Sequence, residues 1–207
     1  PFDRYIQGDR DALNEQEKRG ALLFYGDAGC VSCHSGGLLT NQQFYNLAVP
    51  QIGPGKGREQ PFDLGRARET GSDCDRFAFR TPPLRNVAIT GPWMHNGAFT
   101  SLEETVRHHL DPSAGLQAYD PQQLTAALQD TCQDQPEVLS AILASESASA
   151  SDQIQLSAAE MQDLLAFLNA LTSPRAFDLA DTIPATVPSG LPVGGNLTGG
   201  PTPQRAN

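Results

Sequence analysis

The chain is short of basic residues, of cysteine and of long apolar runs. Lys and Arg number 14 against 24 Asp and Glu in 207 residues, a net charge of −10. Phosphate binding needs clustered basic side chains, so this balance argues against a nucleic-acid partner and against an anionic membrane surface. No stretch approaches the roughly 18 apolar residues of a membrane span. The opening PFDRYIQGDRD has neither the basic start nor the apolar stretch of a secretory leader. The expectation is an acidic, soluble chain, processed or cut from something longer. Four cysteines are too few for a disulfide scaffold at this length.

What is present supports a real core: 39% of the residues are apolar, and the length suits one domain with extras, or two small ones. Asn14 with Glu17 forms a capping box that opens a helix to about Tyr25. Gly20 inside it costs about 1 kcal/mol against Ala unless a close helix contact compensates. Residues 1–13 read as a polar lead-in. Residues 35–72 have no period of either kind and read as a long loop, which is unusual unless it wraps something. Ser101 and Glu104 cap SLEETVRHHL, which Asp111-Pro112 ends. Asp120-Pro121 opens a helix through Leu128, and Pro136 opens another. Ser157 and Glu160 precede an amphipathic helix with Met161, Leu164, Leu165, Leu168 and Leu171 at helical spacing. No alternating strand pattern stands out, so the expected class is all-α. Residues 1–176 form the domain, and residues 177–207 are an extended Pro/Gly-rich tail.

Cys30-Val31-Ser32-Cys33-His34 carries the chemistry. This is the c-type haem attachment pattern. Two thiols a helical turn apart form thioethers with the two haem vinyls, and the following histidine becomes the proximal iron ligand. A thioredoxin-like pair would need a βαβ context, and a zinc site would need two more ligands at matched spacing. One covalent haem c therefore organises the expected fold, and its attachment implies an oxidising, extracytoplasmic compartment. There Cys74 and Cys132 either form a disulfide, worth about 4 kcal/mol by loop closure, or stay two separate thiols.

The second axial ligand decides function. The candidates are Met94, His95, His108 and His109. Leu102, Val106 and His109 share one apolar helix face, whereas His108 lies about 100° away toward the polar flank with Glu104. His109 is thus the leading candidate, with Met94, His108 and an open position as alternatives. Arg80 and Arg85 flank TPPL, and such a guanidinium fork is suited to clamping a haem propionate, the alternative being a solvated surface arginine.

FDRYIQGD, ALNEQEKRGALLF, CVSCH and FRTPPLRNVAITGPWMHNGAFTSLEETVRHH together resemble the C-terminal, electron-transfer haem half of the bacterial di-haem cytochrome c peroxidase family, which includes the enzymes that mature tryptophan-derived quinones. The resemblance covers about residues 2–177. It implies that Cys30, Cys33 and His34 hold the electron-transfer haem and that His109 supplies its distal ligand. That position is usually Met in the peroxidases and Tyr in the quinone-forming enzymes, so His is a departure that lowers the expected potential. It implies that His95 lies near the haem but off the iron, and that Met94 sits where an aromatic is usual. The carbonyls of Thr90 and Pro92 match ligands of a calcium ion between the two halves, a suitable donor type for that cation.

The family's peroxide-handling haem belongs to its other half, of which this chain shows no second CxxCH. The expectation is a periplasmic all-α cytochrome domain that passes electrons to or from a second haem domain or subunit, with a small redox protein as donor. The alternatives are a peroxidase acting at this haem and a free-standing electron shuttle.

Overall fold

The computed structural model describes residues 1–147, 153–179, 182, 184 and 187–190. The chain divides into two compact units, Pro1–Ser173 and Pro174–Asn207. In the second, Pro174–Phe177 form a 3-10 turn, and most of the tail expected over 177–207 lies outside the described residues.

The first unit is mostly helical. Its helices are α1 (Phe2–Ile6), α2 (Glu15–Tyr25), α3 (Ala67–Thr70), α4 (Leu102–Leu110), α5 (Pro112–Gln117), α6 (Ala126–Gln129), α7 (Pro136–Leu143) and α8 (Ala158–Ala170). Two two-residue strands, β1 (Phe44–Tyr45) and β2 (Phe79–Arg80), pair antiparallel.

The capping boxes form as read: Asn14 with Glu17 starts α2 and Ser157 with Glu160 starts α8. The Ser101 hydroxyl accepts from the Glu104 amide at the start of α4. Other expectations need correction. Residues 1–13 are not merely polar: Phe2 and Leu13 are buried, and α1 lies within the segment. Asp111-Pro112 both ends α4 and opens α5, with the Asp111 carboxylate capping Ala114. The helix expected from Asp120 to Leu128 breaks into a 3-10 turn, Pro121–Gln123, and then α6. The 35–72 segment is largely irregular, yet it contributes β1 and α3.

The main core lies between α2 and α8. Phe24, Leu164 and Phe167 are almost wholly enclosed there, with Phe2, Met161, Leu168, Val106 and Leu110 around them. The rings of Phe2 and Phe24 each lie 5.2 Å from that of Phe167. Gly20 is the point of closest approach. A Cβ there would strike the Asp163 carbonyl oxygen and come within 2.8 Å of Phe167 Cβ. The contact anticipated from the sequence thus replaces the helix propensity lost at Gly20.

One ion pair joins the same two helices. The Arg19 fork meets Asp163 at 2.7 and 2.9 Å. Hydrogen bonding to Arg19 holds the Asp163 carboxyl below the usual carboxylate range.

Gly20→Ala, which would stabilise an isolated helix by about 1 kcal/mol, is expected instead to destabilise the protein by about 2–3 kcal/mol through overpacking, read by denaturant unfolding. For Asp163 the folded pKa is the lower one. Its contribution is therefore complete above the unfolded carboxylate value, about 3.9, and is withdrawn as pH falls below it. Asp163→Asn should lower the thermal midpoint at neutral pH and bring it closer to the parent's at acid pH.

Candidate functional site

The site grows from the end of α2. After Tyr25 the chain passes through Gly29, whose φ of 65° is the left-handed conformation glycine tolerates, into a single 3-10 turn, Cys30–Ser32. Cys30, Val31, Leu84, Trp93 and Leu102 pack onto the main core, so one wall of the site is continuous with the hydrophobic interior. Both Cys30 and Cys33 are free thiols. Burial pushes the Cys30 thiol up to about 11, so it is protonated at neutral pH.

The structure brings the rings of His34 and His109 close together. Their ring centroids are 6.4 Å apart and the planes are inclined at 53°. His34 Nδ1 lies 3.1 Å from the Leu39 carbonyl, and His109 Nδ1 lies 2.8 Å from the Thr105 carbonyl. A carbonyl only accepts, so each Nδ1 carries the proton and the Nε2 of the neutral ring keeps its lone pair; the Pro82 carbonyl also interacts with the His34 ring. Burial, and then the neighbouring His109, pull the His34 pKa down to about 4. Burial also lowers that of His109, against the Thr105 carbonyl. Both rings are therefore neutral at pH 7, the form that binds a metal.

This donor set fits a haem. A metal–imidazole bond is about 2 Å and the ring centre lies about 1 Å behind the nitrogen, so two imidazoles on opposite sides of one metal atom have centroids about 6 Å apart. A haem iron takes one or two donors from the protein, whereas a structural zinc needs four. Among the described residues no group of three or more His, Cys, Asp or Glu is gathered to hold a metal.

The other expected residues make the following contacts. Arg80 Nη1 donates to Gln42 at 2.6 Å on an exposed face. Arg85 has its fork on Asp3 at 2.8 Å and on the Gly37 carbonyl, three residues beyond His34, at 2.7 and 3.1 Å. His95 stacks on Phe79 with centroids 3.4 Å apart. Thr90 and Pro92 are exposed on the turn around Gly91, with the Thr90 hydroxyl on the Val87 carbonyl. Met94 packs in a separate cluster with Val49, Ala98 and Phe99.

The expected position of His108 toward the polar flank is wrong. It is 1% exposed, with Nε2 2.8 Å from the Leu47 carbonyl and its ring 4.9 Å from that of Phe99. The physical reason is that α5 folds back on α4 and gives α4 a second buried face. The Leu39 and Thr105 carbonyls were missed. Thr105 stands four residues before His109, one helical turn, which was the available signal; nothing in the sequence singles out Leu39.

Cys74 is exposed, Cys132 is half-buried, and both are free thiols. Cys74→Ser should therefore leave the thermal midpoint unchanged under non-reducing conditions.

No family model matches the chain. It is 41% identical over 128 residues to the cytochrome-c peroxidase IdrP1 of Pseudomonas sp. (strain SCT), which covers 51% of this chain and 34% of that protein. It is 34% identical over 111 residues to the methylamine utilization protein MauG of Methylophilus methylotrophus, covering 53% and 31%. Against the cytochrome c551 peroxidase of Pseudomonas aeruginosa the identity is 34% over 140 residues, covering 67% and 40%. Among solved structures, a MauG-like protein associated with microbial copper homeostasis superposes with a TM-score of 0.61 at 29% identity, covering 84% of this chain and 51% of that one. The diheme peroxidase BthA of Burkholderia thailandensis does so with a TM-score of 0.55 at 26% identity, covering 84% and 46%. The chain spans about a third of the length of the first curated relatives it matches.

Proposed function

From the premise that the chain is homologous to the di-haem cytochrome c peroxidases and MauG, we propose that it is their C-terminal type of haem domain, a periplasmic electron-transfer module with one covalent haem c. The observation that carries this reading is the opposition of His34 and His109 at 6.4 Å.

In this reading Cys30 and Cys33 would hold the group as thioethers, and His34 and His109 would supply the two imidazole nitrogens to its iron. When bound, the haem supplies a one-electron Fe(III)/Fe(II) couple. The protein's part is to hold the two imidazoles. The Leu39 and Thr105 carbonyls fix both rings in the tautomer that offers Nε2, which raises ligand basicity and prevents rotation. With both imidazoles engaged, the site would offer peroxide no open position and would need little rearrangement between oxidation states. Two imidazoles also favour the ferric form more than a His/Met pair does.

The electron's other terminus is a second, peroxidase-type haem unit, as the di-haem relatives suggest. In the same reading Thr90 and Pro92 contribute carbonyls to a calcium ion completed by the partner. Between Ser101 and Asp163 stand 11 acidic residues against the single Arg107, a distribution that would steer a basic redox protein toward the domain.

The ferric haem-loaded protein should give a low-spin spectrum with two imidazole-type ligands that peroxide does not move. His109→Ala should keep the covalent haem and turn the spectrum high-spin. A high-spin parent that shifts with peroxide would replace this reading with a peroxidase acting at this haem.

A further inference from the structure

His108, next to His109 in sequence, is enclosed on every side and is used by nothing in the reading above. The Leu47 carbonyl is 2.8 Å from its Nε2, so Nε2 carries the proton and donates. Its Nδ1 is then left as a lone pair, buried and without a partner. Gly115 of α5 closes that side. A Cβ at Gly115 would collide with Nδ1 and would lie 3.1 Å from Cγ and 3.2 Å from Cα of His108. An apolar side chain would fill this space without an unmet lone pair, so packing alone does not account for the histidine.

We propose that His108 is a positioning residue for His109. Consecutive residues project about 100° apart on a helix, so the two rings leave α4 on different sides. One is gripped between Leu47, Phe99 and Gly115; the other faces His34. The His108–Leu47 hydrogen bond ties α4 to the segment that follows β1, and Gly115 lets α5 lie flush behind it. Together they set the rotation of α4 about its axis, and with it the tilt of the His109 ring against His34. The inference rests on His34 and His109 being the axial pair.

Low-spin ferric g values respond to the angle between two axial imidazole planes, 53° here. The test is EPR of the ferric haem-loaded parent and of three variants, with thermal midpoints taken alongside. His108→Leu, which lacks the donor, is expected to shift the g values and add a high-spin fraction absent from the parent. His108→Gln, whose amide donates to a carbonyl, is expected to restore the parent signal. Gly115→Ala keeps His108 but presses α5 onto its ring, and is expected to shift the g values in the same sense as His108→Leu; it also serves as the reading if His108→Leu does not fold. Lowered midpoints with parent g values in the folded variants would show a purely structural role and overturn the proposal. A parent spectrum that is high-spin, or one that survives His109→Ala, would instead overturn the axial-pair reading.

Discussion

The close approach of α2 and α8 at Gly20 is the constraint on which the rest of the structure depends. It lets two helices meet backbone to backbone and encloses Phe24, Leu164 and Phe167 between them. Four residues after α2 ends the chain enters the Cys30–Ser32 turn, so the placement of His34 is inherited from that packing. The same α8 also packs on α4, the helix that carries His109. The two imidazoles are therefore referred to one common element, although 75 residues separate them in the chain. A pair held this way tolerates irregular chain elsewhere, and most of the segment from Ser35 to Ser72 is irregular.

Beyond the short β1–β2 ladder, that irregular chain is also held by single polar side chains. Asn46 is 1% exposed; its amide donates to the Ile142 carbonyl and Ser145 hydroxyl, and its oxygen accepts from the Ala48 amide. Gln51 accepts from the Asp63 amide. The Thr40 hydroxyl donates to the Thr81 carbonyl, close to where β1 meets β2. Each bond satisfies backbone or side-chain groups that burial would otherwise leave costly. The loop is thus specified one residue at a time.

This contrast explains what could be read from residues alone. Capping boxes and the apolar stripe of α8 are local patterns, within three or four positions, and they were legible. The apolar face shared by Leu102, Val106 and His109 is a local pattern of the same kind, and the structure sets the His109 ring 6.4 Å from that of His34. The Asn46 bonds reach across nearly a hundred residues and have no period, so no pattern announced β1 or the shape of the loop. His108 was misplaced because a helical wheel assumes one buried face. Once α5 turns back at Asp111-Pro112, α4 has two, and a residue 100° from the first is covered by the second.

The tethers on the two imidazoles have a consequence for how the protein can change. Both Nδ1 protons end on main-chain oxygens, those of Leu39 and Thr105. A carboxylate in either place could be exchanged for an amide or an alcohol by a single codon change, grading the electron-donating power of the ring. A peptide carbonyl is present whatever side chain its residue bears. The basicity of the two Nε2 atoms is consequently insulated from ordinary mutational drift, and evolution must alter it by bending the backbone or replacing a histidine outright.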